Sequence, residues 1–304
     1  MSTTGYLLDM DGVIYRENQL IPGAAALVEA FTETGTPFLF VTNNSALTPN
    51  DLVVKLDHLG ISGLNPKHFY TSALNTADFL QETHSNCTVY TIGDAGLMAA
   101  LNDKHLANDS IGADYVVVGE GQVAAERILK GHELIEKGAR LVATNPDNWC
   151  PVSATATRPG AGALAAFLEA STGCRAYYLG KPNPYMFIKA RQHLGVSVDQ
   201  VVMIGDTMET DIRGSIEVGM QAYLVLTGST ELDDLADYVY QPTRVMNSIA
   251  DLVEEIRTGK PGDRLNSPAF DKVKSLTGKT KLGAKHQTDI IGSHRIRPRP
   301  AMTK

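Results

Sequence analysis

Two aspartates near the start of the chain have a spacing suited to catalysis. Asp9 and Asp11 directly follow a short apolar run at residues 6–8, and Gly12 follows them. Residues two apart in an extended chain point to the same side, so both carboxylates are expected at one place. Because like charges repel, one carboxyl group should ionise readily while the other keeps its proton to higher pH, which suits Asp9 as a nucleophile and Asp11 as an acid/base. Alone, such a pair also occurs in metal-binding transferases, calcium loops and solvated turns, so it needs partners.

Three further polar clusters come directly after short apolar runs that are typical of buried strands. These clusters are Thr42 with Asn43 and Asn44, then Lys181, and then Asp206 with Asp211. If the runs are parallel strands of one sheet, the polar residues meet in the crevice beyond the carboxyl ends of those strands, where ligands bind in open α/β sheets. The spacing along the chain therefore predicts one polar site built from four distant segments.

The carboxylates of this site predict a hard divalent cation. Asp206 adds a third carboxylate to Asp9 and Asp11, and no Cys or His joins the cluster. Oxygen-only ligands favour Mg²⁺ over Zn²⁺, so Mg²⁺ is the expected cofactor. For Asp211 two interpretations remain open: it orients the loop or a metal-bound water, or it caps a helix.

The uncharged polar residues and the lysine suit a phosphate group. Thr42 offers a hydroxyl group and Asn43 and Asn44 offer donors for phosphate oxygens, although the same residues can simply close a turn. An ammonium group at Lys181 would neutralise phosphate charge and keep Asp9 ionised, whereas an ordinary surface lysine would do neither. Only the combination of all four clusters discriminates between these interpretations.

The elements that must position these residues alternate along the chain. Residues 6–8 and 38–41 have strand character, and each precedes a helical pattern. The second helix has clear N-terminal signals, with Thr48 as cap, Pro49 in the first turn and Asp51 three residues after the cap. This alternation predicts an α/β fold with a doubly wound parallel sheet covered by helices on both faces.

Composition indicates a globular protein and excludes disorder throughout the chain. The 304 residues are 43% hydrophobic and 20% charged, enough for one large or two moderate domains. No apolar run approaches the roughly 18 to 20 residues of a membrane helix, and the first residues lack a signal-peptide pattern, so a cytoplasmic protein without a membrane partner is expected. The three cysteines, Cys87, Cys150 and Cys174, are scattered, which predicts reduced thiols rather than disulfides or a zinc site.

Residues 259–304 differ from the rest of the chain in charge. They carry eleven Lys and Arg against three Asp, a net charge of +8, whereas residues 1–258 carry −15. With many Gly and Pro and few apolar residues, this segment is interpreted as a poorly ordered extension. Contact with nucleic acid, with an acidic membrane surface or with the acidic body of the protein is the alternative.

The four clusters resemble the motifs of phosphatases of the haloacid dehalogenase (HAD) superfamily, in the NagD-like or p-nitrophenyl phosphatase branch. The resemblance covers about residues 5–257 and leaves the basic extension outside. The motifs that carry it are DMDGVIY at 9–15, VTNNS at 41–45, GKPNP at 180–184 and IGDTMETDI at 204–212.

The resemblance implies a Rossmann-like core with an inserted, mobile α/β cap. The core is expected at residues 1–78 and 180–258, the cap at 79–179 and the extension at 259–304. Homodimerisation through the cap is a further expectation, because members of this branch are often dimers.

The resemblance also implies a mechanism. Asp9 attacks phosphorus, and Asp11 protonates the leaving oxygen and then activates the water that hydrolyses the aspartyl-phosphate. Mg²⁺ is held by Asp9, by the main-chain carbonyl of Asp11 and by Asp206. Four further core residues hold the phosphoryl oxygens, namely Thr42, Asn43, Asn44 and Lys181. Of these, Thr42 and Lys181 are also expected to be catalytic.

The expected substrate is a small phosphorylated metabolite of the nucleoside monophosphate, sugar phosphate or phosphoglycolate type. Cap residues decide among these, because the core recognises only phosphate and metal. Asn145, Asp147 and Trp149 lie on a Pro-containing loop and are candidates to face the leaving group, although a lone Trp often serves packing only.

Two other functions fit parts of the sequence. A phosphoacceptor signalling switch also gathers acidic residues, a hydroxyl residue and a lysine around Mg²⁺, but an acid/base at Asp11 would shorten the lifetime of its aspartyl-phosphate. A polyanion-binding protein acting through the basic extension would not need four intact motifs, so nucleic acid is not an expected partner.

Overall fold

The computed structural model describes residues 4–153 and 156–260, so all but the first two residues of the basic extension lie outside the described residues. The strands, in chain order, are β1 (Gly5–Leu8), β2 (Tyr15–Arg16), β3 (Gln19–Leu20), β4 (Phe38–Thr42), β5 (Phe69–Thr71), β6 (Thr88–Ile92), β7 (Ala107–Asn108), β8 (Tyr115–Val118), β9 (Arg140–Ala143), β10 (Trp149–Ser153), β11 (Ala156–Pro159), β12 (Tyr177–Tyr178), β13 (Val201–Gly205), β14 (Gln221–Val225) and β15 (Arg244–Met246).

The α-helices are α1 (Ala24–Thr34), α2 (Pro49–His58), α3 (Ser72–Thr83), α4 (Ala95–Asp103), α5 (Ala125–Glu136), α6 (Ala161–Thr172), α7 (Pro184–Leu194), α8 (Arg213–Glu217) and α9 (Val253–Thr258). A π-helical turn, Met208–Ile212, leads directly into α8. The N-terminus of α2 has the predicted signals: Thr48 and Asp51 form a reciprocal capping box, and Pro49 stands in the first turn.

Six parallel strands form the core sheet, in the order β15-β14-β13-β1-β4-β5. The central strand β1 pairs with β13 on one side and β4 on the other, with Leu8 opposite both Ile204 and Phe40. The carboxyl ends of these three strands are therefore adjacent. Asp9 and Asp206 directly follow β1 and β13, and Thr42 is the last residue of β4, which is the predicted convergence.

Alternate residues of the core strands face two different helix layers. Leu8 and Phe40 pack with α1, α2 and α9, in a cluster that includes Phe31 and Leu56. Residues one position away on the same strands, such as Leu39, belong to the opposite cluster with α7. Burying each such side chain contributes about 1.5–3 kcal/mol, so both faces of the sheet stabilise the fold. The doubly wound parallel sheet predicted from the alternating pattern is confirmed.

Five parallel strands form the cap sheet, in the order β12-β9-β8-β6-β7. All five lie in the chain between β5 and β13 of the core sheet, so the second α/β unit is inserted into the first, as predicted. The antiparallel hairpin β10–β11 extends from this unit, with Cys150 opposite Arg158.

The short strand before Lys181 belongs to the cap sheet. Tyr177 pairs with Val142 of β9, and the main-chain N–H of Leu179 donates a hydrogen bond to the carbonyl of Ala143 (3.0 Å). The chain thus reaches the core-sheet site only after leaving the cap sheet. A run of three apolar residues could not reveal which of two sheets it joins.

The expected boundary at residues 78/79 lies inside α3. This helix packs with the cap strands through Ala77 and Leu80, in a cluster that contains Val89 and Val117. A division within one continuous helix is not marked by a break in the secondary structure, so the boundaries at 78/79 and 179/180 stay a prediction.

Among the helices of the described residues, none has the length and apolar character needed to cross a membrane.

Candidate active site

A buried lysine lies between two carboxylates at the carboxyl end of the core sheet. Lys181 is only 2% exposed. Its Nζ lies 2.5 Å from Asp9 Oδ1 and 2.7 Å from Asp211 Oδ1. The three residues come from segments after β1, after β12 and within the turn after β13, so the fold joins three of the four predicted clusters at one ammonium group.

The side chain of Asn43, after β4, fixes the backbone that carries this lysine. The Lys181 N–H donates to Asn43 Oδ1 (2.7 Å), and Asn43 Nδ2 donates to the Lys181 carbonyl (3.1 Å). Both polar ends of one side-chain amide are thus bound to the main chain of one residue. Asn43 Nδ2 also donates to Asp147 Oδ2 of the cap (3.0 Å), so this residue links the core and the cap.

The loop after β14 holds Asp206, which sequence reasoning did not foresee. The Ser229 N–H donates to Asp206 Oδ2 (2.6 Å), and Thr207 Oγ1 donates to Oδ1 (3.3 Å). A Cβ on Gly228 would lie 2.0 Å from Asp206 Oδ2, so only glycine permits this approach. Gly12 has φ 80°, in the left-handed region, and its Cβ would also meet Asp206, which supports the predicted bend after Asp11.

The side chain of Asp11 faces a tyrosine and a lysine rather than the three buried carboxylates. The Tyr15 hydroxyl donates to Asp11 Oδ2 (3.3 Å), and Lys55 Nζ lies 3.7 Å from the centre of the Tyr15 ring. Asp11 keeps contact with solvent. The surrounding protein nevertheless raises the pKa of Asp11 by desolvation, while the charge of Lys55 and the bond from Tyr15 lower it.

Burial controls the charge state of the site more than mutual repulsion does. Desolvation raises the pKa of Asp9 to about 7, opposed by Lys181 and reinforced by Asp206 and, more weakly, by Asp11. It likewise raises the pKa of Asp206 and of Asp211 to about 6 each. Burial by itself would lower the pKa of Lys181, but Asp211 and Asp9 hold that pKa above its ordinary value. The readily ionised Asp9 expected from sequence thus depends on added positive charge.

The donor set fits a hard cation. Oxygens of Asp9, Asp206 and Asp211 all lie within 4.8 Å of one another. Three carboxylates face a single ammonium group, so a divalent cation would supply the missing positive charge. Asp211, expected outside the ligand set, stands within this carboxylate group and accepts a bond from the Thr207 N–H (3.2 Å). The Asp11 side chain lies outside the group.

Thr42 and Asn44 shape the loop after β4. The Asn44 N–H donates to Thr42 Oγ1 (3.1 Å), and Asn44 Oδ1 accepts from the N–H groups of Ala46 (3.1 Å) and Leu47 (3.0 Å). The oxygen of Asn44 therefore closes a turn, which is one of the two interpretations left open for it. Its Nδ2 group is the donor that this side chain can offer to a phosphate.

The three cap candidates are placed differently. Asn145 is buried, and its Nδ2 donates to the Asn43 carbonyl (2.7 Å) and to Glu120 Oε1 (3.0 Å). Burial raises the pKa of Asp147, whereas its bond from Asn43 lowers it. Trp149, at the start of β10, is 62% exposed. Asn145 and Asp147 thus join the core site directly, whereas Trp149 does not share these hydrogen bonds.

Glu120, which was not among the predicted site residues, also lies at this junction. It is 4% exposed, and burial together with Asp147 raises its pKa to about 7. A glutamate between two glycines at the end of β8 is typical of a surface turn. Only the cap placed over the core explains its burial.

Comparison with known proteins identifies the class to which this fold and site belong. A model of haloacid dehalogenase-like hydrolases matches residues 6–107, and a HAD-hydrolase-like model matches residues 178–252. The dihydroxyacetone phosphatase of Corynebacterium glutamicum is 38% identical over 250 residues, covering 82% of this chain and 90% of that protein. The chain therefore belongs to the haloacid dehalogenase-like hydrolases, and it is a hydrolase of phosphoric monoesters.

Solved structures place the chain more closely, in the NagD-like branch. NagD from E. coli K-12 superposes with a TM-score of 0.77 at 30% identity, covering 83% of this chain and 98% of that one. The 4-nitrophenylphosphatase of Thermotoga maritima gives a TM-score of 0.78 at 31% identity, with 84% and 97% covered. The acid sugar phosphatase of Staphylococcus aureus is 35% identical over 254 residues, 83% of this chain and 97% of that protein.

Proposed function

We propose that this protein is a Mg²⁺-dependent phosphatase of small phosphorylated sugars that works through an aspartyl-phosphate on Asp9. The observation that carries the proposal is the buried contact of Lys181 with Asp9 and Asp211 at 2.5 and 2.7 Å. An ammonium group fixed against a buried carboxylate suits a site in which that carboxylate approaches a phosphate dianion.

In this mechanism Asp9 is the nucleophile. An oxygen of Asp9 attacks phosphorus in line with the leaving oxygen, and a phosphorus–oxygen bond to the leaving group breaks as the new one forms. Lys181, Thr42 and the Nδ2 group of Asn44 neutralise or donate to the phosphoryl oxygens. Asn43 acts by holding Lys181 in place, since both polar ends of its amide already bind that residue.

Asp11 is the acid/base of the two steps. Its carboxyl group gives a proton to the leaving oxygen in the first step, and its carboxylate takes a proton from the attacking water in the second. The second step breaks the bond between Asp9 and phosphorus and releases inorganic phosphate. The hydroxyl of Tyr15 holds the Asp11 side chain, and the charge of Lys55 favours its carboxylate form.

Mg²⁺ is the proposed cofactor. Asp9, the main-chain carbonyl of Asp11 and Asp206 would hold it, with the carboxylate of Asp211 beside them. When bound, the cation neutralises charge on the phosphoryl group and on the carboxylates around it. The loop around Gly228 and Ser229 keeps Asp206 oriented for this task.

The proposed substrates are phosphate esters of small sugars. Two relatives are named dihydroxyacetone phosphatase and acid sugar phosphatase, and they span 82% and 83% of this chain. Nucleoside monophosphates and phosphoglycolate, which the sequence left open, belong in the same test panel. Binding by Trp149, dimerisation through the cap and a cytoplasmic location stay predictions.

Removal of divalent metal is expected to abolish phosphate release, because the three buried carboxylates then have only the ammonium group of Lys181 to balance their charge. The measurement is phosphate release from a panel of sugar phosphates, nucleoside monophosphates and phosphoglycolate, with EDTA and after readdition of Mg²⁺. Full activity of the metal-free protein would contradict the proposed cofactor. Turnover of no phosphomonoester with Mg²⁺ present would contradict the proposed function.

Replacing Gly228 with alanine is expected to lower phosphate release by at least about 100-fold, because a displacement of Asp206 by an ångström disturbs the reacting geometry. The matched control is Gly112→Ala, where the new Cβ would meet its nearest atom, an Asp109 oxygen, at 3.8 Å. Circular dichroism of both variants reports folding. A folded Gly228→Ala protein with unchanged turnover would show that the position of Asp206 does not matter.

The phosphoacceptor switch is the second candidate function. It requires an aspartyl-phosphate that persists, and the placement of Asp11 beside Tyr15 and Lys55 gives this site a hydrolytic group instead. Multiple turnovers of substrate in the panel assay separate the phosphatase from the switch. Polyanion binding through the basic extension involves residues outside the described ones.

A further inference from the structure

The cap side of the site contains a pair of ionisable residues that the phosphoryl-transfer steps do not use. Its members are Glu120, at the end of β8, and Arg158, on β11. The charge of Arg158 lowers the pKa of Glu120, and the charges of Asp147 and Asp11 raise it. Glu120 is therefore coupled electrostatically to Arg158 and Asp147 in the cap and to Asp11 in the core.

Hydrogen bonds connect this pair to the phosphate-binding residues. Asn145 Nδ2 donates both to Glu120 Oε1 (3.0 Å) and to the Asn43 carbonyl (2.7 Å), and Asn43 holds Lys181. Glu120 also acts electrostatically on Tyr15, the partner of Asp11. In the proposed mechanism the leaving oxygen lies beside Asp11, so the rest of the leaving group extends toward the cap residues that are bonded to the site, among which Glu120 is coupled to Asp11.

The side chain of Arg158 can donate a further hydrogen bond through its Nε–H group. Its Nε is buried and has no hydrogen-bond partner within residues 4–153 and 156–260. Its guanidinium group lies next to the thiol of Cys150, which is the residue opposite Arg158 in the β10–β11 hairpin. A buried N–H without a partner is costly unless a ligand supplies an acceptor.

We propose that Glu120 and Arg158 contact the leaving group, and that they select uncharged, hydroxyl-bearing leaving groups over those that carry a carboxylate. The carboxylate of Glu120 accepts hydrogen bonds from hydroxyl groups, and Arg158 donates to hydroxyl or carbonyl oxygens. Asp147 and Arg158 both act electrostatically on Glu120, so this region holds two carboxyl groups for one guanidinium group, and a further carboxylate on the substrate is repelled. This inference rests on the proposed phosphatase function and names the substrate class of the same site.

The test compares three substrates at pH 8 with Mg²⁺. Dihydroxyacetone phosphate has an uncharged leaving group, 2-phosphoglycolate has a carboxylate, and p-nitrophenyl phosphate has no hydroxyl group. Glu120→Gln keeps the acceptor for Asn145 but removes the charge. We expect it to raise the kcat/KM ratio of 2-phosphoglycolate to dihydroxyacetone phosphate about 10-fold, with p-nitrophenyl phosphate changed by less than about 2-fold.

Arg158→Gln should act differently. It removes positive charge, so kcat/KM for dihydroxyacetone phosphate and for 2-phosphoglycolate should both fall, by about 10-fold or more, while p-nitrophenyl phosphate changes little. The matched control is Glu126→Gln on the exposed first turn of α5, which should leave all three values unchanged. Thermal melting shows whether each variant is folded.

A pH series adds a second readout. In the unchanged protein the ratio should rise as pH falls from 8 to 6, because Glu120, with a pKa of about 7, takes up a proton and loses its charge. In Glu120→Gln the ratio should stay flat. The inference would be overturned if a substitution changed kcat/KM equally for all three substrates. It would also be overturned if Glu120→Gln left the ratio of 2-phosphoglycolate to dihydroxyacetone phosphate at its original value at pH 8, or if this ratio did not change with pH in the unchanged protein. Absence of turnover of every substrate by the unchanged protein would instead refute the proposed function.

Discussion

Asp9→Asn protein is expected to release phosphate at less than about 10⁻⁴ of the rate of the unchanged protein. An asparagine amide cannot attack phosphorus, so neither the aspartyl-phosphate nor its hydrolysis is available. Asn has nearly the shape of Asp, and its side-chain oxygen still accepts a bond from Lys181. The loss should therefore appear in kcat with the fold intact, and the measurement is steady-state release from p-nitrophenyl phosphate with Mg²⁺.

The matched control for this variant is Asp103→Asn. Asp103 is an exposed aspartate at the end of α4, in the cap, so its replacement should leave kcat within about 2-fold. Normal turnover by pure Asp9→Asn protein would remove the nucleophile from the mechanism. It would leave a direct attack of water as the chemistry to be explained.

Lys181→Met is expected to lower kcat/KM by about 1,000-fold and also to destabilise the metal-free protein. The substitution removes the ammonium group that lies 2.5 Å from Asp9 and 2.7 Å from Asp211. Removing one partner of a buried ion pair costs about 3–5 kcal/mol, because the remaining charge is left without compensation. Enzyme assays and thermal melting measure the two effects separately.

Added Mg²⁺ distinguishes the role of this lysine from simple packing. The cation would compensate the same carboxylates, so it should raise the melting temperature of Lys181→Met by more than that of the unchanged protein. Lys137→Met, at the C-terminal cap of α5 with a side chain that is 60% exposed, is the control and should alter neither activity nor the effect of Mg²⁺. Equal Mg²⁺ effects in both proteins would contradict the proposed sharing of charge between Lys181 and the metal.

Local patterns predicted the framework of this site well. The apolar runs before Asp9, Thr42 and Asp206 are adjacent parallel strands, and the polar residues after them do meet. Such features depend on residues close in sequence, namely strand hydrophobicity, turn residues and helix caps. The capping box of Thr48 and Asp51 is an example, since its two members are three residues apart.

Contacts between distant residues were beyond such reasoning. The hydrogen bond from the Lys181 N–H to Asn43 Oδ1 spans 138 positions, and that from Asn145 Nδ2 to the Asn43 carbonyl spans 102. Nothing near Glu120 marks it as buried, because the residues that cover it arrive only when the cap lies on the core. The hydrogen bond from the Ser229 N–H to Asp206 Oδ2 likewise depends on the pairing of β13 with β14.

The pairing of Asp9 with Asp11 shows how burial altered a sequence expectation. Repulsion between two neighbouring carboxylates was expected to separate their pKa values. In the structure desolvation is the main cause at both residues, and Asp11 contributes only weakly to the raised pKa of Asp9. The two carboxyl groups differ in their neighbours, which are Lys181 for Asp9 and Tyr15 with Lys55 for Asp11, and the roles that we propose for them follow from this difference.

Chemical trapping of the covalent intermediate tests the central claim most directly. Asp11→Asn protein, which should be slow to hydrolyse an aspartyl-phosphate, is mixed with substrate and Mg²⁺ and quenched with borohydride, which reduces an acyl phosphate to an alcohol. Peptide mass spectrometry should then find homoserine in place of aspartate at position 9, and only when substrate was present. Reduction at another aspartate, or an unmodified Asp9 in protein shown to carry bound phosphoryl groups, would contradict the account.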